Sequence, residues 1–348
     1  MERSTNSTFR NPGTTALATL LALTSCGRAL GQATQPVLIV DVENVVNYNN
    51  NLTDQPKLVP NDNITPAAPV NLQGVFGFVI AIGDVVAVNG QPARGTLVLR
   101  AQVLNLVPAD APREANAPQV VAIADTMRAA LQTVTLELLK SNGVPVGIFT
   151  LIGMGGRPPL GAPSSITSFN FTVVGGTGAF LGMRGQAGYS GGVGGRSASM
   201  AENPANRRIN GGGRRRVVLQ LIPHSLPQIL ATSGGPAVYH EDFSPVSTAR
   251  PAKPGELLII KASGLGPTLP QAEPGEPFPM NSPPELNSPF EVSVNGKAAE
   301  VLNKTGWPGL VDTYRVDFRV PAGIEAGTAG VQLTAAWITG PSTPLPIE

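Results

Sequence analysis

The stretch that decides the fold reads FTVVGGTGAFLGMRGQAGY and spans residues 171–189. It begins with alternation, Phe171 and Val173 against Thr172, which is typical of a half-buried strand. Glycines then follow at positions 175, 176, 178, 182 and 185, and glycine permits sharp turning and close backbone approach. A phosphate-binding loop is not expected, because the GxGxxG spacing and a Lys-Ser/Thr pair are missing and no helix is predicted to follow. The stretch therefore predicts a strand that runs into a tight, structural, glycine-rich turn.

Segments on both sides of this stretch also have the character of strands. They are β-branched or alternate between apolar and polar residues, and they cover residues 37–46, 75–88, 95–106, 133–139, 144–152, 165–174 and 214–222. The chain has 40 glycines and 34 prolines among 348 residues, which disfavours helix interiors. Seven or eight alternating strands without a long helix predict an all-β fold. A closed antiparallel barrel is the natural solution, because closure removes exposed strand edges.

The glycine-rich turn carries a family resemblance. Its matching residues are Gly175, Gly176, Thr177, Gly178, Ala179, Phe180, Gly182, Arg184 and Gly185. This Gly-Gly-Thr-Gly-Ala-aromatic-x-Gly-x-Arg-Gly signature resembles that of the allene oxide cyclase-like barrels, which include the plant dirigent proteins, and the likeness covers about residues 36–222. It implies an antiparallel eight-stranded barrel whose cavity takes small apolar or phenolic ligands. Some members guide a cyclisation without a cofactor, but their catalytic acids do not map onto this chain.

The rest of the chain predicts a second domain. Residues 223–254 are rich in proline, hold both histidines and show little periodicity, so we predict an interdomain linker there. From residue 255 short strands and turn signals resume, which predicts a β-sandwich over 255–348. The stretch 245–348 resembles the Ig-like, transcription-factor-type domain that ends many secreted bacterial proteins, and this likeness implies a display or adhesion module.

The N-terminus predicts export. Arg3 and Arg10 precede a short apolar run, TTALATLLAL at 14–23, which fits a signal peptide and is too short to span a bilayer. Two kinds of signal-peptide processing fit residues 1–33. The residues around Cys26 resemble a lipoprotein signal in which that cysteine is lipidated, and small residues near Ala29–Ala33 suit ordinary cleavage. We therefore expect a bacterial protein that is secreted or held in the cell envelope, with contact to a membrane only through a lipid anchor.

Charge and residue counts exclude several classes of function. A net charge of +1 gives no global attraction for nucleic acid. One cysteine and two histidines, His224 and His240, predict neither a metal site nor a disulfide. The pattern GYSGG at 188–192 matches a nucleophile motif, but its strand–turn–helix context and histidine partner are missing. Five arginines at 207, 208, 214, 215 and 216 either bind an anionic glycan or lipid head group or form a solvated rim.

The small residues of the barrel segments predict an elongated apolar cavity with its mouth near residues 175–195. Arg100, Glu137 and Arg184 are the expected polar groups at that cavity, if the apolar face of each strand points outward; otherwise they face solvent. We expect a non-catalytic protein without cofactors that binds a small apolar ligand or an envelope partner. A cofactor-free isomerase or cyclase, with Glu137 as acid or base, is the alternative, and a structural extracellular component is the second.

Overall fold

The computed structural model describes residues 35–49, 76–104, 129–155, 169–273 and 275–348. Residues 35–348 belong to one compact unit. The predicted leader, 1–33, and its lipidation candidate Cys26 lie outside the described residues.

Eight antiparallel strands close into a barrel, as the sequence predicts. They are β1 (Val37–Asn49), β2 (Phe76–Val88), β3 (Gln91–Leu104), β4 (Ala129–Leu139), β5 (Pro145–Gly155), β6 (Phe169–Gly178), β7 (Arg184–Val193) and β9 (Gly213–Ile222). Each pairs with the next around the ring, and the ring closes where β1 pairs with both β2 and β9. The short strand β8 (Arg196–Ser199) adds in parallel to β1, and a 3₁₀ helix, Pro204–Arg208, follows it.

The apolar side chains of these strands face the barrel interior. On β3, Leu97, Leu99 and Ala101 are buried, while Arg100 between them is exposed. Strand pairing keeps cross-strand neighbours on one face, so Leu97 meets Leu136 and Leu99 meets Val134 inside the barrel. The alternation seen in the sequence therefore marks inside from outside.

A second, sandwich-like sheet follows the barrel. Its strands are β10 (Gln228–Ile229), β13 (Val238–His240), β14 (Leu257–Ser263), β15 (Thr268–Leu269), β16 (Glu285–Leu286), β17 (Phe290–Val294), β18 (Lys297–Gly306), β19 (Thr313–Arg319), β20 (Gly327–Ala335), β21 (Ile338–Thr339) and β22 (Thr343–Ile347). Strand β18 pairs with β17 at its start and with β19 over the rest of its length. Because one strand belongs to both layers, the sheet curls around a core that includes Leu258, Val316 and Phe318. Strands β11 (Ala231–Thr232) and β12 (Gly235–Pro236) form a separate hairpin.

The stretch 223–254, predicted as a linker, contributes strands to this second sheet. Both β10 and β13 pair with β14. His240 is buried, with Nδ1 2.6 Å from the Glu256 carboxylate and Nε2 3.3 Å from the Arg250 carbonyl oxygen. Strands of two or three residues are too short to show a period of two, which is why the sequence pattern missed them.

The hairpin between β20 and β21 closes one end of the barrel. Its residues Ala336, Trp337 and Ile338 pack into the barrel core. Asn89, in the turn between β2 and β3, donates a hydrogen bond from Nδ2 to the Trp337 carbonyl oxygen at 3.3 Å. Asn287 donates in the same way to Pro145 O at 2.8 Å. The barrel and the second sheet are therefore joined at the end where the glycine-rich turn lies.

Candidate functional site

The glycine-rich signature forms the turn between β6 and β7. Phe180 at its centre is fully buried and stacks on Phe149, with ring centroids 4.1 Å apart. A Cβ at Gly176 would lie 2.4 Å from the Phe180 carbonyl oxygen, and Gly178 has φ +61°, so both positions require glycine. Thr177 and Gly182 are exposed on the turn, Gly175 pairs with Thr150 of β5, and Gly185 pairs with Val173 of β6. The signature thus holds the turn against the barrel core.

The sequence predicts a cavity mouth beside residues 175–195, and this prediction is wrong. That end of the barrel is filled by the hairpin of Trp337, which is only 8% exposed. The reason is the second sheet, whose β20–β21 hairpin has the size and apolar character to cap the barrel. The hairpin therefore closes this end of the barrel to a ligand.

The structure places Arg100, Glu137 and Arg184 on the outer face of the barrel. Arg100 and Arg184 are exposed and Glu137 is half-buried, whereas Leu136 and Leu138 beside Glu137 are fully buried. Because the apolar set faces inward, the charged set with the opposite phase faces outward. These three residues do not line the interior and are not brought together.

Four polar side chains do face inward, towards the barrel end opposite the glycine-rich turn. Each of three polar residues lies two positions along its strand from a buried apolar residue and therefore on the same, inward face. The pairs are Gln132 with Val134, Tyr189 with Ala187, and Arg215 with Val217. Asn47 pairs with Ala81, which is also inward. Of these four, the sequence pattern pointed only to Arg215, as one of five clustered arginines. The signal for the other three was a polar residue that continues the apolar phase towards a strand end.

Gln132 is the most deeply buried of the four. Its side chain is 5% exposed, and among the described residues its Oε1 has no hydrogen-bond partner. Gln132 pairs with Gly153, and Gly153 pairs with Phe171 on the next strand. Gly153 places no side chain between Gln132 and Phe171. A buried acceptor without a donor costs about 1–3 kcal/mol, so this oxygen is able to accept a further hydrogen bond.

Tyr189 and Arg215 form the other half of this group. The Arg215 guanidinium lies 5.0 Å from the centroid of the Tyr189 ring, and that ring meets Phe171 edge-on at 5.5 Å. Arg215 Nη2 also donates to Asn47 Oδ1 at 3.5 Å. Burial raises the pKa of the Tyr189 phenol, and the Arg215 charge opposes that shift only in part. Near neutral pH the Tyr189 phenol is therefore protonated, and the Arg215 guanidinium supplies the positive charge among these four side chains.

We call Gln132, Phe171, Tyr189, Arg215 and Asn47 the barrel-end group. It joins an aromatic wall, a cation and an orphaned acceptor within an interior that is otherwise apolar. None of the inward-facing residues that the structure describes on the barrel strands is a carboxylate. The group offers an acceptor to a hydrogen-bond donor and an aromatic surface to an apolar group.

The remaining sequence candidates have structural partners. Asp84 pairs with Arg207 and Arg208, Glu43 with Arg214, and Asp41 with Arg216, so four of the five arginines have a carboxylate partner. The GYSGG stretch lies inside β7, not at a strand-to-helix turn. His224 is exposed on the connection after β9.

The described residues contain neither a metal-binding cluster nor a membrane-spanning helix. No group of three or more His, Cys, Asp or Glu side chains within them is arranged to hold a metal ion. Helices long and apolar enough to cross a membrane are likewise missing from this part of the chain.

Comparisons with known proteins give one structural likeness. No protein-family model and no curated protein matches the chain. Among solved structures, the pterocarpan synthase dirigent protein GePTS1 matches with 12% sequence identity and a TM-score of 0.26. The match covers 57% of this chain and 90% of that one. At this level the likeness carries no information about the ligand of this chain.

Proposed function

We propose that this chain is an exported, non-catalytic binding protein that holds a small, mostly apolar ligand at the barrel-end group. The observation that carries the proposal is the orphaned Oε1 of Gln132, buried in an apolar barrel. Export follows from the leader expected over residues 1–33, and the second sheet serves as an Ig-like display or spacer module at the cell envelope.

The barrel-end group specifies the chemistry of the ligand. A hydroxyl or N–H on the ligand donates to Gln132 Oε1, which removes the penalty of the unpaired acceptor. The ligand's apolar body packs against the Phe171 ring, beside Gly153, which contributes no side chain. Arg215 already contacts the Tyr189 ring and Asn47 Oδ1, so its guanidinium has partners within the chain before a ligand binds.

The second sheet supports this function by closing the other end of the barrel. With Trp337 packed into the core there, that end of the barrel is closed. A barrel closed at one end retains an apolar ligand more readily than an open tube does, because fewer of the ligand's apolar atoms stay in water.

One observation favours a second candidate, a cofactor-free isomerase or cyclase. Tyr189 is a buried phenol beside a guanidinium, and such a phenol is able to donate a hydrogen bond to a reacting oxygen. The two candidates separate on the fate of the ligand: a binding protein returns it unchanged, whereas an isomerase converts it.

The test is a fluorescence titration with N-phenyl-1-naphthylamine, an apolar probe with one N–H donor. Gln132→Leu removes the acceptor and keeps the volume, so we expect affinity to fall about three- to tenfold. Gln186→Leu is the matched control, because Gln186 lies on the outer face of β7 bonded to Gln220. The N-methylated probe, which lacks the donor, should bind wild type and Gln132→Leu equally.

Two results would overturn the proposal. The first is equal affinity of the N–H probe for wild type and Gln132→Leu. The second is no binding of either probe by the full chain, which would leave the structural extracellular role as the better account.

A further inference from the structure

A cleft of about 540 Å³ lies outside the barrel, between the glycine-rich turn and loops of the second sheet. One wall is the turn residues Gly178–Met183, another is the connection after β9, and the rest comes from 264–276 and 311–314. Its volume falls in the range of about 300–1,000 Å³ that is usual for sites of small ligands. The cleft lies at the opposite end of the barrel from the barrel-end group, so it is a separate place on the molecule.

Backbone packing fixes the walls of the cleft. A Cβ at Gly182, where φ is +75°, would lie 3.0 Å from His224 Cβ. At Gly264, where φ is +70°, a Cβ would lie 2.4 Å from the Leu226 carbonyl oxygen. Each wall thus touches its neighbour at a position that leaves no room for a side chain. A cleft built this way is formed before any ligand arrives, which lowers the cost of binding.

Apolar side chains line the cleft and remain partly uncovered. Leu181 is 71% exposed and Val311 is 48% exposed on the walls, while Phe278 and Ile338 lie buried beneath. Because large apolar side chains gathered in a concave site gain from being covered, they favour a ligand with an apolar body.

The carboxylates that line the cleft have no lysine or arginine beside them in the lining. Its lining includes the carboxylates of Asp312, Glu273 and Glu276 and the imidazole of His224, but no lysine or arginine. Within the described residues none of these three carboxylates forms an ion pair. Asp312 is partly desolvated, and this raises the pKa of its carboxyl group despite hydrogen bonds with Tyr314 and the Gly264 backbone. A carboxylate that lacks a cation in a concave apolar setting is stabilised when a cation binds.

We propose that this cleft binds a small organic cation, an ammonium group carried on an apolar body. The ammonium lies near Asp312, with Glu273 and Glu276 adding attraction from the rim, and the apolar body covers Leu181 and Val311. A bare metal ion does not fit, because the carboxylates and His224 form no metal-binding group among the described residues. This inference is independent of the function proposed for the barrel-end group.

The experiment compares three probes of equal chain length on the full protein: hexylammonium, hexanol and hexanoate. Binding is followed by NMR chemical shifts of the backbone amides of Leu181, Gly266 and Asp312. We expect hexylammonium to bind with a dissociation constant of about 1 mM or lower, and hexanol and hexanoate to bind at least about tenfold more weakly. Equal binding of hexanol and hexylammonium, or no shifts at these amides, would overturn the proposal.

Asp312→Asn removes the central charge and keeps the shape. Asp312 has φ +42°, a conformation that asparagine also tolerates, so the variant should fold. Glu325→Gln is the matched control, because it changes the net charge of the second sheet equally at an exposed position outside the cleft. We expect Asp312→Asn to weaken hexylammonium binding at least about fivefold and Glu325→Gln to leave it unchanged. The same affinity in both variants would show that general charge attraction, and not this cleft, holds the cation.

Discussion

The guanidinium of Arg215 lies over the ring of Tyr189, 5.0 Å from its centroid, inside a barrel whose other described inward side chains are nearly all apolar. The two residues sit on neighbouring strands, β9 and β7, and both continue the inward phase of their strand. The contact brings a positive charge against a buried phenol, and it opposes the rise in the pKa of Tyr189 that burial causes.

Replacing Arg215 tests this relationship. In Arg215→Met the phenol keeps its burial and loses the nearby charge, so we expect the pKa of Tyr189 to rise further. The measurement is tyrosinate absorbance against pH, with the Arg215→Met/Tyr189→Phe double variant subtracted to isolate Tyr189. Arg214→Met is the control, because Arg214 faces outward towards Glu43 and should leave the Tyr189 titration unchanged. Identical curves for the two single variants would contradict the contact.

Asp84 holds the 3₁₀ helix Pro204–Arg208 against the outside of the barrel. Burial acts to raise the pKa of Asp84, but hydrogen bonds from Arg208, Arg207 and Asn44 outweigh it and lower the pKa to about 2. Arg207 Nη2 lies 2.5 Å from Asp84 Oδ1, and both side chains are largely buried. Asp84→Asn leaves Arg207 without its counter-charge, and we expect the free energy of unfolding at pH 7 to fall by about 2–3 kcal/mol in urea denaturation.

The same change has a pH signature. The folded pKa of Asp84 lies below its unfolded value, so its stabilisation is present above about pH 4 and is lost as the pH falls towards 2. The difference between wild type and Asp84→Asn should shrink over that window. Asp41→Asn, in the exposed pair with Arg216, should cost less than about 1 kcal/mol. A cost for Asp41→Asn as large as that for Asp84→Asn would contradict the assignment.

Trp337 should couple the second sheet to the barrel. It is nearly buried in the barrel core although its strand hairpin belongs to the second sheet. Trp337→Ala leaves a cavity at the barrel end, and we expect a loss of about 3 kcal/mol in the free energy of unfolding. Trp307→Ala is the comparison, because Trp307 contacts Lys261 within the second sheet and is not part of the barrel core. Trp307→Ala should lower the free energy of unfolding by less than Trp337→Ala does. An equal decrease in both variants would argue against a cap formed by Trp337.

Much of the fold was predictable because the barrel strands are long and alternate. On β3 and β4 the buried and exposed positions follow the sequence pattern residue by residue. The sequence does not predict β7 as a strand, because six of its ten residues are glycine, alanine or serine and the segment resembles a continuing turn. The strands between 228 and 240 were missed for their shortness, and tertiary pairing with β14 is what orders them.

The site was less predictable than the fold. Strand phase alone does not say which face is inside, so Arg100, Glu137 and Arg184 were named on the assumption that the apolar face points outward. The barrel-end group depends on pairing across six strands, in which Gly153 lies between Gln132 and Phe171. The cap by Trp337 depends on the docking of two parts of the chain, for which the sequence holds no local signal.

The predicted leader can be checked on protein purified from the cells that make it. Mass spectrometry should find a chain that begins near residues 30–34, or a lipid-modified Cys26 at the N-terminus. A lipid-modified Cys26 would identify the protein as a lipoprotein. An intact segment 1–33 on the mature protein would contradict export by this route.

The most direct test of ligand binding at the barrel-end group follows the side-chain amide of Gln132 by NMR while N-phenyl-1-naphthylamine is added. The signal is assigned by its loss in Gln132→Leu. A donor that reaches Oε1 polarises the amide, so the Gln132 signal should move together with the backbone amides of Gly153 and Phe171 and should saturate with the fluorescence titration. If the probe saturates the protein while the Gln132 amide stays in place, the ligand lies elsewhere and the central claim is wrong.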